Sequence, residues 1–183
     1  MSAVQSYPSE RALVDEIEAV LVAHGWTVRR EVHFRVYADL RDRQKGRVDV
    51  LAYPPKTSPI RDHLPCIAIE AKNYASLEEV RVAKRQAIAA MHGFDFQYGE
   101  GAYSRKGKPT QRPGIALIAT ATSWATGRAV FSDGDASGLA VIERDLWEHG
   151  CAILKGPPSD PSFQSNSGGV AGSKRFRLFG SQQ

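Results

Sequence analysis

The chain has 183 residues, 42% of them hydrophobic and 24% charged, which is ordinary for one soluble globular domain with a buried core. No stretch is apolar enough for a transmembrane helix and no signal peptide opens the chain, so a cytoplasmic protein without a membrane partner is expected. Cys66 and Cys151 lack CxxC spacing, which excludes a zinc or disulfide framework, and the net charge of +4 suits a polyanionic partner.

The first predicted element is a helix over residues 9–24, entered through Ser6 or Ser9. Its apolar stripe at helical spacing consists of Leu13, Ile17, Val20 and Leu21. Glu10 lies on the same face, one turn before this stripe. An acid there either favours the positive end of the helix dipole or faces the sheet as a functional carboxylate, and Glu16 at the edge of the stripe is the second candidate.

A basic β-hairpin is predicted next, with strands over residues 26–37 and 46–53. Its basic residues are Arg29, Arg30, Arg35, Arg41, Arg43, Lys45 and Arg47. They form either a solvated surface or a surface that contacts phosphates, because backbone charge dominates affinity for nucleic acids.

Two short apolar strands carry charges that buried strands rarely contain. Asp49 interrupts the strand 46–53, and the next strand, which follows a proline-rich loop, ends in Glu70-Ala71-Lys72. Burying charges is costly unless they are paired or bind a metal. Glu70 and Lys72 are therefore either an ordinary ion pair or, with Asp49, part of a site for a divalent cation such as Mg²⁺, which prefers oxygen ligands.

The pattern of Asp49, Glu70 and Lys72 resembles the motif of the PD-(D/E)XK nuclease superfamily, although Val48 replaces the proline that names it. Within that superfamily the chain is most similar to the modification-dependent restriction enzymes and Holliday-junction resolvases. The resemblance implies a restriction-endonuclease-like fold. It also implies Mg²⁺ as the cofactor, with Mn²⁺ able to substitute.

The resemblance further implies the roles of individual residues. The implied metal ligands are Glu10, Asp49, Glu70 and the Ala71 carbonyl. The implied catalytic residues are Asp49, Glu70, Lys72 and Gln86. Gln86 lies at the margin of a helix that a capping box at Ser76 starts and Gly93 stops, where it is either a plain boundary residue or orients water or backbone.

The later elements complete an α/β pattern. They are a long loop over 97–114, a strand over 115–121, a short helix over 123–131, a strand over 139–142 and a helical turn over 143–149. The order helix, three strands, helix, strand, helix, strand predicts a central mixed β-sheet flanked by helices (αβββαβαβ). The long loop mixes Tyr with basic residues, which hold phosphates and stack on bases, or it is a flexible insertion. The predicted nucleic-acid contacts are Arg30, Arg35, Arg47, Arg105, Lys106 and Lys108.

The composition changes after residue 155. Twelve of the 18 residues from Gly156 to Ser173 are Gly, Pro or Ser, which predicts a nuclease-like domain over 1–155 and a disordered linker within 156–183. The basic-aromatic tip, Lys174 to Phe179, either docks on a protein partner, folds back as an edge strand or is a nonspecific sticky tail.

These features together predict a metal-dependent nuclease, an endonuclease by the resemblance, that hydrolyses phosphodiester bonds of duplex or branched DNA. A homodimer is left open. The alternatives are a catalytically inactive nuclease-fold module for DNA binding or assembly, and an RNA endonuclease on the same fold.

Overall fold

The computed structural model describes residues 7–39, 42–73, 76–99, 108–126, 136–155, 162–165 and 174–177. The helices are α1 (Glu10–Ala23), α2 (Leu77–Met91), α3 (Ala121–Thr126) and α4 (Ala136–Glu148). The strands are β1 (Thr27–Asp39), β2 (Asp42–Tyr53), β3 (Ile67–Lys72), β4 (Phe94–Tyr98), β5 (Lys108–Thr110), β6 (Ile115–Thr120), β7 (Cys151–Lys155), β8 (Ser162–Ser165) and β9 (Lys174–Arg177).

The strands form one mixed sheet in the order β5-β4-β1-β2-β3-β6-β7-β8-β9. The pairs β3–β6 and β6–β7 are parallel and the other pairs are antiparallel. The predicted fold class, a central mixed sheet flanked by helices with the core order αβββαβαβ, is confirmed. Strands β4, β5, β8 and β9 are additions to that core.

Helices cover both faces of the sheet because side chains on each strand alternate between them. Ile67 and Ile69 of β3 pack with α1 and with Trp124 of α3. Ala68, between them, packs on the opposite face with Val80 of α2 and with α4. The central strands β3 and β6 are buried on both faces, as expected for parallel strands between helices.

Two predicted capping residues fix where the site-bearing helices start. The Ser9 hydroxyl accepts a hydrogen bond from the Ala12 N–H at 3.1 Å, so the first turn of α1 begins at Glu10. Ser76 accepts from the Glu79 N–H at 3.2 Å, as the capping-box prediction requires. Both helices therefore begin where the sequence indicates.

The strand predicted over 139–142 is wrong, because these residues belong to α4. Ile142 and Leu146, four residues apart, are buried while Val141 is 52% exposed, which is a helical pattern that a four-residue apolar run cannot reveal. The last core strand is instead β7, a fully buried run directly after Gly150. The helix predicted over 123–131 begins two residues earlier, at Ala121, and its residues 127–131 lie outside the described part.

The long loop predicted over 97–114 is also wrong in part. Its first residues end β4 and its later ones form β5, which pairs with β4. Tyr98, at the end of β4, is partly buried and packs against the hydrophobic core. Residues 100–107 lie outside the described part.

Two segments beyond residue 155 form strands: β8 pairs with β7 and β9 pairs with β8. For Lys174–Arg177, the edge-strand alternative is the one that the structure has. The domain boundary at residue 155 stays a prediction.

Both cysteines are buried free thiols, as expected, and burial raises the pKa of Cys66 and of Cys151 to about 12. Within the described ranges, no helix combines the length and hydrophobicity needed to cross a bilayer.

Candidate active site

The site lies where strands β2 and β3 part. Their described pairing runs from Ala52 opposite Ile67 to Val50 opposite Ile69 and stops there. One residue further along β2, the Asp49 carboxylate accepts a hydrogen bond from the Ala71 N–H, with 2.8 Å between N and Oδ2. Asp49 thus replaces the strand ladder at the point of divergence, which explains an acid in an apolar strand.

Glu70 is a buried acid with an unsatisfied oxygen. Only 2% of the residue is exposed, and among the residues that the structure describes Oε1 has no hydrogen-bond partner. Burial raises the pKa of Glu70 well above its usual range, the charge of Asp49 acts in the same direction, and Lys72 opposes both. A further cation close to the Glu70 carboxylate would favour its charged form.

Glu10 approaches the end of β3 from α1. Its Oε1 lies 3.5 Å from the Lys72 Nζ, and the Lys72 side chain is only 15% exposed. The Asn73 side-chain amide donates to the Tyr7 carbonyl at 2.8 Å. This hydrogen bond joins the residue after β3 to the segment before α1, and so holds the start of α1 beside the site.

Glu16, the second candidate for the helical carboxylate, has a structural role instead. Its Oε1 accepts a hydrogen bond from the Trp124 indole N–H at 3.3 Å. The indole belongs to α3 and is 1% exposed, so Glu16 satisfies a buried donor. Of the two acids, Glu10 is the one in contact with Lys72.

A cleft of about 400 Å³ is lined by four of the six predicted catalytic and metal-binding residues. Glu10, Asp49, Lys72 and Gln86 line this central cleft. Glu70 does not line the central cleft, but it interacts electrostatically with three residues that do: Asp49, Lys72 and Glu10. The Gln86 Oε1 is buried without a hydrogen-bond partner, so the polar end of this helical residue is directed into the interior of the site.

The fit of a divalent cation rests on these donor atoms. Within the part of the chain that the structure describes, no three His, Cys, Asp or Glu side chains already enclose a metal position. Glu10 is turned to Lys72 and Asp49 to the Ala71 N–H. The donors are all oxygens, the kind that Mg²⁺ and Mn²⁺ prefer, and among the described residues the Glu70 Oε1 has no hydrogen-bond partner. The residues therefore fit such an ion in chemistry.

The predicted nucleic-acid contacts divide into three groups. Arg30 contacts Asp15 at 2.7 Å and Glu18 at 3.4 Å, and Arg35 contacts Asp95 at 3.3 Å. Arg47 lines the central cleft and is 3.7 Å from Glu31. Arg105 and Lys106, and the side chain of Lys108, lie outside the described part.

Some residues of the site region were not predicted. Arg85 also lines the central cleft, and Glu31 lies opposite Asp49 between two regular strand pairs. Glu31 has φ 49°, a left-handed conformation that costs a non-glycine residue about 1–3 kcal/mol. Glycine or asparagine would have indicated a left-handed residue at position 31, but glutamate does not, so this break in the strand could not be predicted from the residue type.

Replacing Glu70 by glutamine should stabilise the protein in EDTA by about 1–2 kcal/mol, a rise in melting temperature of roughly 3–6 °C. The reason is that glutamine removes a buried ionisable group. The pKa of Glu70 is higher in the folded than in the unfolded protein, so the wild type loses stability as pH rises above the ordinary carboxyl pKa. Glutamine does not titrate, and the stability gained by Glu70→Gln should therefore grow with pH.

The melting temperature in EDTA measures this gain, and Glu148→Gln, at an exposed position on α4, is the matched control. Added Mg²⁺ should then raise the melting temperature of the wild type more than that of Glu70→Gln. A Glu70→Gln protein that melts below the wild type in EDTA would contradict the prediction.

Comparisons with known proteins leave the family open. No protein-family model and no curated protein matches the chain. Among solved structures, P. aeruginosa ATCC27853 NucC in its cAAA-bound form is similar at a TM-score of 0.47 and 12% identity, over 93% of this chain and 71% of that one. A likeness at this level carries no argument about activity, so the site has to be interpreted from its own residues.

Proposed function

We propose that the protein is a metal-dependent nuclease that hydrolyses DNA phosphodiester bonds, acting as an endonuclease. The observation that carries the proposal is the meeting of three elements at one point. Asp49 on β2, Glu70 and Lys72 on β3, and Glu10 on α1 lie around the divergence of two strands. An ordinary ion pair at the end of a strand needs neither the second strand nor the helix.

Asp49, Glu70, Glu10 and the Ala71 carbonyl are proposed to hold Mg²⁺, with Mn²⁺ able to replace it. When bound, such an ion polarises a phosphate oxygen and lowers the pKa of water. The Asp49–Ala71 hydrogen bond fixes the Asp49 carboxylate relative to the backbone of β3. Glu70 is held rigidly because it is buried on a central strand. A rigid set of oxygens of this kind would hold the ion in one place, and through it a reacting phosphate in one orientation.

Lys72 supplies the positive charge of the chain itself. Its Nζ lies at the cleft, beside Glu10, where it can donate to the attacking water or to an oxygen on which negative charge grows. Its mostly buried side chain increases this effect, because less water screens the ammonium. Gln86 is proposed to orient water or backbone from the opposite side through its amide.

DNA is the proposed substrate because the rim of the central cleft is basic. Lys45, Arg47 and Arg85 line it together with the acids. The Arg47–Glu31 pair is long and both side chains are more than half exposed, so it is worth at most about 1 kcal/mol and a phosphate can displace Glu31. Arg30, which contacts two carboxylates, is less easily released.

A substrate panel tests this proposal. Purified protein with Mg²⁺ is incubated with duplex DNA, single-stranded DNA, a four-way DNA junction and duplex RNA of matched length. The proposal expects internal cuts in at least one DNA substrate and slower cutting of RNA. Cutting of RNA alone would replace DNA by RNA as the substrate, and binding without cutting of any substrate would favour an inactive module.

A further inference from the structure

A second cavity, of about 690 Å³, lies at the open end of the β1–β2 hairpin, where Thr27 pairs with Tyr53. We call it the basic cavity. Asp49 and Tyr53 are four residues apart on β2, which corresponds to about 13 Å along an extended strand. The two cavities share no lining residue, so the basic cavity is separate from the central cleft.

The charged residues that line the basic cavity are all cationic: Arg29, Lys56 and Arg61. All three are exposed, and within the described ranges none forms an ion pair with a carboxylate. This differs from Arg30 and Arg35, which acids of the same chain neutralise. Three exposed cations around one concave surface attract an anion.

An aromatic platform lies beside these cations. The Arg29 guanidinium stands over the Tyr98 ring, 4.6 Å from its centroid, and both residues line the basic cavity. A guanidinium stacked on a ring presents a flat surface on which a nucleobase can stack. The Tyr53 hydroxyl is hydrogen-bonded to the Thr110 hydroxyl, and burial raises the pKa of Tyr53, so it stays a neutral polar group.

We propose that the basic cavity binds a nucleotide, with its phosphate on Lys56 and Arg61 and its base against the stacked Arg29 and Tyr98. Inorganic anions would use the cations alone, whereas a nucleotide uses both the charges and the flat surface. The ligand is either a free nucleotide or one unit of a single strand. The proposal does not depend on the nuclease activity, because its residues are separate from those of the central cleft.

Isothermal titration of the full-length protein in EDTA tests the proposal, with adenosine monophosphate, a hexathymidylate strand and inorganic pyrophosphate as probes. The variants are Lys56→Gln and Arg61→Gln, both at exposed positions, and Tyr98→Leu. Arg144→Gln, at an exposed position on α4 outside both cavities, is the matched control.

Lys56→Gln and Arg61→Gln should each weaken nucleotide binding by about tenfold, the loss expected for one charged contact. Tyr98→Leu should weaken binding of the nucleotide probes and leave pyrophosphate binding unchanged, while Arg144→Gln should change nothing. Binding of the monophosphate identifies a free nucleotide as the ligand, and binding of the hexamer alone identifies a strand. If neither nucleotide probe binds the wild type, or if Lys56→Gln and Arg61→Gln bind both as tightly as the wild type does, the proposal is overturned.

Discussion

Lys72→Ala should lower the rate of DNA cleavage at least about a thousandfold while leaving the fold intact, because it removes the buried positive charge at the reacting phosphate. Asp49→Asn should have an effect of the same order. Its amide oxygen can still accept from the Ala71 N–H, so the strands stay joined while the charge is lost. Removal of this negative charge should leave DNA binding equal or stronger.

Single-turnover cleavage, together with a binding titration in EDTA, measures both effects. Lys84→Ala is the matched control, since Lys84 also pairs with an acid, Asp145, but does not line the central cleft. That control should cut DNA at the wild-type rate. If Lys72→Ala also cuts at the wild-type rate, Lys72 is only an ion-pair partner of Glu10 and has no part in cleavage.

Gly46→Ala should destabilise the protein by about 1–3 kcal/mol, a fall in melting temperature of roughly 3–10 °C. A Cβ at Gly46 would lie 2.2 Å from the end of the Phe34 ring on the paired strand. Phe34 is 1% exposed and stacks on Phe96 with 5.1 Å between ring centroids, so a displaced ring loses part of this packing. Either the ring or the strand must shift, beside the central cleft that Phe34 and Gly46 both line.

A double-mutant cycle with Phe34→Leu measures this clash directly. Phe34→Leu should destabilise the wild type but cost much less in the Gly46→Ala background, because leucine leaves room for the new methyl group. Equal costs of Phe34→Leu in both backgrounds would show that the ring does not lie over Gly46.

The starts of helices α1 and α2 could be predicted from the sequence because a capping residue acts on backbone groups only three positions away. Ser9 and Ser76 accept from backbone N–H groups three residues on, so the starts of α1 and α2 follow from short patterns. Asp49 and Glu70 were identifiable because charges in apolar strands are costly. Their proximity depended on the family resemblance, since no spacing in the sequence indicates where two strands part.

The remaining features depend on contacts distant in sequence. The choice between Glu10 and Glu16 is made by Trp124, an indole donor 108 positions from Glu16 in the chain. Arg30 on β1 forms an ion pair with Asp15 on α1, and the sequence of the hairpin does not indicate this contact. Val141 and its neighbours form too short a run to distinguish a helix from a strand, so 139–142 was predicted as a strand, while the helical turn predicted over 143–149 lies in α4 up to Glu148.

The central claim is that oxygen ligands from β2, β3 and α1 support metal-dependent cleavage of DNA. Nicking of supercoiled plasmid by the wild type and by Asp49→Asn, in Mg²⁺, in Mn²⁺ and in excess EDTA, tests it most directly. We predict cleavage by the wild type in both metals, with Mn²⁺ at least as effective, and none in EDTA or by Asp49→Asn in Mg²⁺. Wild-type cleavage that persists in excess EDTA, or no cleavage of DNA in either metal, would contradict the claim.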